Sequence, residues 1–437
     1  LQKTSDLPLA WPATEPQAYG PLVLILAFIP ILLLAGVGRM RWTTLGIWIA
    51  VAIGILGLMG WHDVARQSAD TLRDPPFLTF PMPLFAVAVL FIGHHLILPA
   101  DLQRRWIAPF AIYFDTAWKA GVQLALSVGF TGAFWILLFL GSALFRVIGL
   151  TFLEGLTRET WFNIPVTTLA FSIAVHLTDV RDGLIRGVRT VALMLLSWLL
   201  LLMTVLAAGF VLALPFTGLQ GLWDTGSATA LVLAAVAALI ILINTAYQDG
   251  RPDNLPPAIL RVAVRIAAIL LTPLVVIAFW GLALRIGQHG LTPDRIIALA
   301  CALVGALHAA GYAWAAVRTF WRKGDWMRPL EPTNIAGAML ALVLILLLFS
   351  PVLDPARLSV ADQVARLERG AVRPDKFDYR FLHFSSGKAG QAALERLTMS
   401  RDPVVASSAR NVRAIPTDQD KRDAIEARAW SRTPVYE

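Results

Sequence analysis

The sequence predicts an all-α, polytopic transmembrane helix bundle of about ten spans with a small C-terminal helical region outside the membrane. Three observations predict it. Long apolar runs recur between Gly20 and Ser350, and the run from Thr190 to Phe216 carries no charge. About 20 such residues, at a 1.5 Å rise, cross a ~30 Å hydrocarbon core. Charged residues make up only 15% of the 437 and hydrophobic ones 57%, against about 25% charged in soluble domains. Finally, lysines and arginines alternate from loop to loop. In lipid the backbone must satisfy its own polar groups within each segment, so the apolar runs are read as helices.

Spans are expected near 20–38, 43–60, 78–99, 119–147, 162–178, 190–214, 227–247, 262–284, 296–318 and 334–352. This divides the chain into an extracytoplasmic segment 1–19, a membrane bundle 20–352 and an extracytoplasmic helical tail 353–437. The chain begins at Leu1 rather than Met, so a preceding piece is expected. Residues 1–19 lack the basic, apolar, small-residue pattern of a signal peptide.

Loop charge tests the count. Breaks after odd-numbered spans carry fifteen Lys and Arg, among them Arg39, Arg41, Arg186, Arg189 and Arg328. The opposite side carries seven: Lys3, Arg66, Arg73, Arg146, Arg158, Arg285 and Arg295. The positive-inside rule then places residue 1 and the tail outside the cytoplasm. Trp42, Trp61, Trp106, Trp118, Trp161, Trp223, Trp321 and Trp326 fall near span ends, as an aromatic belt requires. Ala298, Ala302, Ala306 and Ala310 on the ninth span, and Ala230, Ala234 and Ala238 on the seventh, are spaced for close helix packing or a dimer contact. Pro30, Pro165 and Pro273 are candidate kinks.

The net charge of +8 has a topological explanation, because the cations sit in loops facing lipid headgroups. With no basic stripe or motif, nucleic acid is not an expected partner. The single cysteine, Cys301, excludes an intrachain disulfide and a cysteine-rich metal site, and neither a metal nor a cofactor is expected.

In the tail, Ser359 is read as the N-cap of VADQVARLERG and Gly370 as its stop. Further helices are expected over 387–397, from the cap pair Asp402 and Pro403, and over 417–430. SSGKAG at 385–390 contains a Gly-Lys pair but lacks the upstream Gly and the Ser/Thr of a phosphate-binding loop.

Ionisable residues in or near spans are the candidates for chemistry, since burying them costs roughly 2.5–3.5 kcal/mol on insertion scales. No Asp or Glu falls in mid-span, which argues against coupling through a midplane carboxylate. His94, His95 and Asp101, His176 and Asp179, and Asn244 and Asp249 approach the cytoplasmic side. They are read as a candidate ligand-binding pocket, against the plainer explanation of polar residues at helix ends. Adjacent histidines diverge on a helix, so His94 and His95 do not chelate as a pair. On the outer side, Thr292 and Pro293 cap the ninth span, and Asp294 suits its positive dipole end. Arg285 and Arg295 beside that turn are candidate contacts for an anionic lipid.

FWILLFLGSALFRVIGLTFLEGL at 134–156, WFNIP at 161–165, NTAYQDG at 244–250 and RIGQHGLTPDR at 285–295 resemble a bacterial polytopic family known as a domain of unknown function, numbered four-one-five-three. The likeness covers roughly 118–318 and extends loosely to LSVADQVARLERG. It implies a bacterial inner-membrane location and assigns no activity or catalytic residues.

Three functions follow as expectations. The first is non-enzymatic handling or transport of a lipid or amphipathic solute. The second is a structural or accessory subunit of an envelope complex, with the tail contacting a protein partner or the chain forming a homo-oligomer. The third is a membrane enzyme on a lipid-linked substrate, using His94, Asp101, His176 and Asp179. No protease, kinase or nucleotide signature is found.

Overall fold

The computed structural model describes residues 11–12, 14–68, 76–180, 182–218, 228–251, 255–319 and 326–415. The membrane-crossing helices are α1 (Pro16–Gly36), α2 (Trp42–Ala65), α3 (Pro81–Gln103), α4 (Phe110–Val147), α6 (Thr160–Val180), α7 (Asp182–Thr217), α8 (Ala228–Tyr247), α9 (Ala258–His289), α10 (Pro293–Arg318) and α11 (Leu330–Leu348). These ten are long and apolar enough to cross a membrane, so this is a multi-pass membrane protein. A short helix, α5 (Phe152–Arg158), follows α4 and lies outside the expected spans.

The spans gather into two apolar bodies. The smaller is α1, α2 and α3, around Leu24, Leu56, Met82 and Val89. The larger is α7, α8, α9 and α10 with the start of α4, around Leu200, Leu239, Leu271 and Ala315. Helix α11 lies between them. Its first turns join the larger body through Leu330 and Ile335, whereas Leu342, Ile345 and Phe349 join the smaller. Phe349 packs its ring 4.2 Å from that of Phe85. Helices α4 and α6 form a lipid-exposed pair tied by Gln123 Nε2 to the Val175 carbonyl (3.2 Å) and Trp135 Nε1 to Thr167 Oγ1 (3.0 Å).

Small residues permit the closest helix approaches. A Cβ on Gly60 would lie 2.9 Å from the Pro21 Cα, and one on Gly337 would meet the His308 ring. The packing stripe of α8 differs from the expected one. Val232, Val236, Leu239 and Ile243 are buried, while Ala230 and Ala234 are exposed. The larger side chains fill the interior there, while Ala230 and Ala234 face outward and Ala238 is half-buried. On α10, Ala302 is buried but Ala310 is exposed, and Gly305, Ala309 and Tyr312 supply the buried face. The helices run on through Pro30, Pro165 and Pro273.

The tail adds α12 (Pro355–Glu368), a 3-10 turn at Pro374–Lys376, α13 (Tyr379–Phe384), α14 (Gly387–Thr398) and α15 (Pro403–Arg413). Their apolar faces share a core of Val364, Leu367, Phe377, Leu382, Leu394, Val405 and Ala409. The expected cap at Asp402 is present, accepting from the Val404 and Val405 amides. Ser359 is not a cap. Helix α12 starts earlier, because Asp354 accepts from the Ala356 and Arg357 amides with Pro355 at the first position. Gly370, at φ +71°, follows the helix as expected. The helix expected over 417–430 lies outside the described residues.

Candidate functional site

Successive spans reverse direction, so the ends of α2, α9 and α11 share one face with the tail, here the tail face. The opposite face bears Arg39, Arg41, Arg104, Arg186 and Arg328. The residues expected to form a pocket there are spread over several separate contacts. Asp101, its side chain 3% exposed, holds the start of α2. It accepts from the Arg41 amide (2.9 Å), Arg41 Nε (2.7 Å) and Thr44 Oγ1 (2.6 Å). It thus caps a helix that has no cap of its own. Asp101→Ala is expected to lower thermal stability by about 1–2 kcal/mol, the range of a lost cap. Unchanged melting in detergent would contradict that.

Asp179 pairs with Arg39 at 2.9 Å on the surface, and His176 is exposed one turn away. His94 is buried, with no partner for Nδ1, and its ring meets that of His95 edge-on at 5.5 Å. His95 donates from Nδ1 to the Phe91 carbonyl (2.8 Å). Asp249 pairs with Arg251 at 3.3 Å. Among the described residues, no group of three or more His, Cys, Asp or Glu is placed to hold a metal.

Asn244 belongs to a different assembly. Its Nδ2 donates to the Tyr312 hydroxyl (2.7 Å), and Asn334 Nδ2 donates back to Asn244 Oδ1 (2.6 Å). The Tyr312 hydroxyl closes the triangle by donating to Asn334 Oδ1. One turn on, the Tyr247 hydroxyl donates to Glu331 (2.9 Å), and its ring stacks on Trp326 at 5.6 Å. These contacts tie α8, α10 and α11 together. Tyr312 and Asn334 were absent from the sequence expectations, since a tyrosine and an asparagine on separate spans carry no pairing signal.

The tail face is more concentrated. Helix α12 lies across the RIGQHGLTPDR turn. Ser359, Asp362, Gln363 and Arg366 recur on one side, while Val360, Val364 and Leu367 face the tail core. Asp362 accepts from the Leu291 amide (2.7 Å), and Ser359 donates to the Leu291 carbonyl (2.8 Å). Gln363 donates to the His289 carbonyl (2.9 Å). Arg366 donates to the carbonyls of Gly287 (3.1 Å) and Gln288 (2.9 Å). The last carbonyls of α9 are thereby satisfied by side chains of the tail. The expected turn geometry is also present, with Gly290 at φ +75° and Thr292 accepting from the Arg295 amide.

A second tail contact reaches the smaller body. Lys388 donates through its amide to the Arg66 carbonyl (3.0 Å) and through Nζ to the Ala65 carbonyl (2.8 Å). The Gly-Lys pair of SSGKAG therefore grips the end of α2. A Cβ on Gly387 would meet the Arg66 carbonyl oxygen. His62 Nε2 pairs with Asp354 Oδ2 at 3.1 Å, both side chains buried. Beside them Asp63, fully buried, accepts from the Thr79 amide (2.7 Å) and from Arg66 (2.7 Å). The tail thus bridges both bodies.

Beside the docked turn, the outward side of α9 carries a groove of about 350 Å³ lined by Trp280, Ala283, Leu284, Gly287 and Gln288. Arg366, bonded to the Gly287 and Gln288 carbonyls, reaches the end of this groove, and Arg295 is bonded to the Gly290 carbonyl in the same turn. The charges of Arg285 and Arg366 act on Arg295, partly offset by that of Asp294. Arg366 had a legible signal, as the last member of a polar stripe spaced i, i+3, i+4, i+7 on a helix that also has an apolar stripe.

No curated protein and no solved structure matches the chain. A family model described as a domain of unknown function, DUF4153, matches residues 22–397. The match takes in α1 to α3 and the tail through Leu397, well beyond the central stretch that carries the resemblance in sequence. The chain belongs to the DUF4153 family.

Proposed function

We propose that the protein is a non-enzymatic membrane protein that holds or moves a lipid or other amphipathic solute at its tail face, in a bacterial inner membrane with the tail outside the cytoplasm. The observation that supports this reading most is the groove on α9. It is apolar along Trp280, Ala283 and Leu284 and ends beneath the polar turn that the tail covers. An amphipathic molecule matches that division, with its chain against the helix and its polar end at the turn. The bias of fifteen cationic residues against seven between the two faces supports the orientation.

Native mass spectrometry of the protein gently released from its own membrane tests the reading. Retention of a defined lipid or amphiphile supports it, and a ligand-free chain carrying only a stoichiometric protein partner contradicts it. That second outcome is the accessory-subunit reading, favoured by the exposed Phe384, Met399 and Val404 on the tail. For the orientation, a cysteine at Met399 in a Cys301→Ser background is expected to react with a membrane-impermeant maleimide in intact cells. Labelling only after lysis would reverse the topology.

A further inference from the structure

We infer that the tail-face groove binds a lipid with an anionic phosphate headgroup, gripped by Arg285, Arg295 and Arg366. The inference rests on the lipid-handling reading and specifies its ligand class.

The argument starts from donors. Each guanidinium carries five N–H groups in a rigid fork and no acceptor. In this cluster Arg366 gives two bonds, to Gly287 and Gln288, and Arg295 gives one, to Gly290. Among the described residues, most of the donors thus have no protein acceptor. Arg366 Nε is buried with no partner. Among the described residues, none of the three forms an ion pair with a carboxylate. Asp362, the nearest acid on α12, is spent on the Leu291 amide. The three cations repel one another at a span end, Asp294 offsets only part of that at Arg295, and a ligand with two or more acceptor oxygens and a negative charge relieves the rest. Phosphate fits a guanidinium fork in the bidentate manner.

The surroundings select a lipid as the source of that phosphate. The groove beneath the arginines is apolar, faces away from the protein interior and spans Trp280 to Gln288. An acyl chain along Trp280 and Leu284 places a headgroup at the level of Gly287. Arg366 comes from the tail and is fixed there by the carbonyls of α9, so the membrane bundle alone lacks one of the three cations.

The full chain in nanodiscs of equal phosphatidylglycerol and phosphatidylcholine, analysed by native mass spectrometry, tests this. Among the described residues Arg285 has no hydrogen-bond or ion-pair partner to lose, so Arg285→Gln is the primary variant. Wild type is expected to retain phosphatidylglycerol at least fivefold over phosphatidylcholine. Arg285→Gln is expected to cut that retention by fivefold or more, and Arg285→Lys, which keeps the charge but not the fork, to fall between the two. Arg186→Gln, which removes an exposed cation from the opposite face, is expected to change nothing. Equal retention of both lipids, unchanged retention in Arg285→Gln, or an equal loss in Arg186→Gln overturns the inference and leaves lipid handling standing. Retention of neither lipid overturns both.

Discussion

Asp354→Ala is expected to release α12 from the bundle, raising amide exchange across residues 355–368 by about a hundredfold, equivalent to about 3 kcal/mol. Two losses coincide at this residue. The carboxylate is the N-cap of α12, accepting from Ala356 at 2.8 Å, and it also pairs with His62 at 3.1 Å. A lost cap costs about 1 kcal/mol. Losing the buried hydrogen bond between His62 and this carboxylate costs about 1.5–3 kcal/mol. Asp354→Asn separates the two, since asparagine caps as well as aspartate. It is expected to lose the pair but keep the cap, and so to fall between wild type and alanine. If Asp354→Asn exchanges like wild type, the pair contributes nothing.

The same residue makes docking sensitive to acid. Burial opposes ionisation of Asp354, but the His62 hydrogen bond, the Ala356 amide and the charges of His62 and Arg66 outweigh it and hold the carboxyl below its usual value. A depressed value in the docked state means that the undocked state binds the proton more tightly. The stabilisation from this group is therefore complete above the ordinary carboxylate range of about 4 and is lost as pH falls through the depressed value. Exchange of α12 relative to the intrinsic amide rate at each pH is expected to rise, from pH 7 downward, only in that acid range. A rise centred above pH 5 would assign the sensitivity elsewhere.

Asn334→Leu is expected to destabilise the larger body by about 1–3 kcal/mol in a denaturant titration in detergent. Single interhelical hydrogen bonds in membranes average only about 0.6 kcal/mol, because the unfolded reference also finds partners. Here the closed triangle raises the cost. Loss of Asn334 leaves Asn244 Oδ1 without its donor and the proton of the fully buried Tyr312 hydroxyl without its acceptor. An unsatisfied buried group costs about 1–3 kcal/mol, whereas replacing all partners with apolar ones is nearly neutral. The triple variant Asn244→Leu, Tyr312→Phe, Asn334→Leu is therefore expected to be more stable than Asn334→Leu alone. If the triple variant is the weaker, the triangle acts through packing rather than through stranded polar groups.

The spans were legible because lipid imposes one rule on every residue of a segment. Apolar length alone found ten helices. What escaped depends on contacts between distant residues. Asp101 was visible as an acid near a span end, yet its role is to cap α2 from sixty residues away. Ser359 has the chemistry of a cap, but Asp354 and Pro355 start the helix earlier and leave Ser359 to hold Leu291. Arg285 and Arg295 were recognisable at the turn. The polar stripe on α12 marks Arg366 as facing a partner, but only the fold supplies that partner, the carbonyls of Gly287 and Gln288.

Cross-linking tests the central claim, that the tail straps the two helical bodies together beside the α9 groove. In a Cys301→Ser background, one variant carries cysteines at Gln67 and Lys388 and another at His289 and Gln363. Both pairs sit where the tail meets a span end. Treated in native membranes with a short bismaleimide, both are predicted to cross-link within the chain, each at a yield well above a pair placed at Gln67 and Gln363. Cross-linking of one pair without the other, or of neither, would contradict the strap.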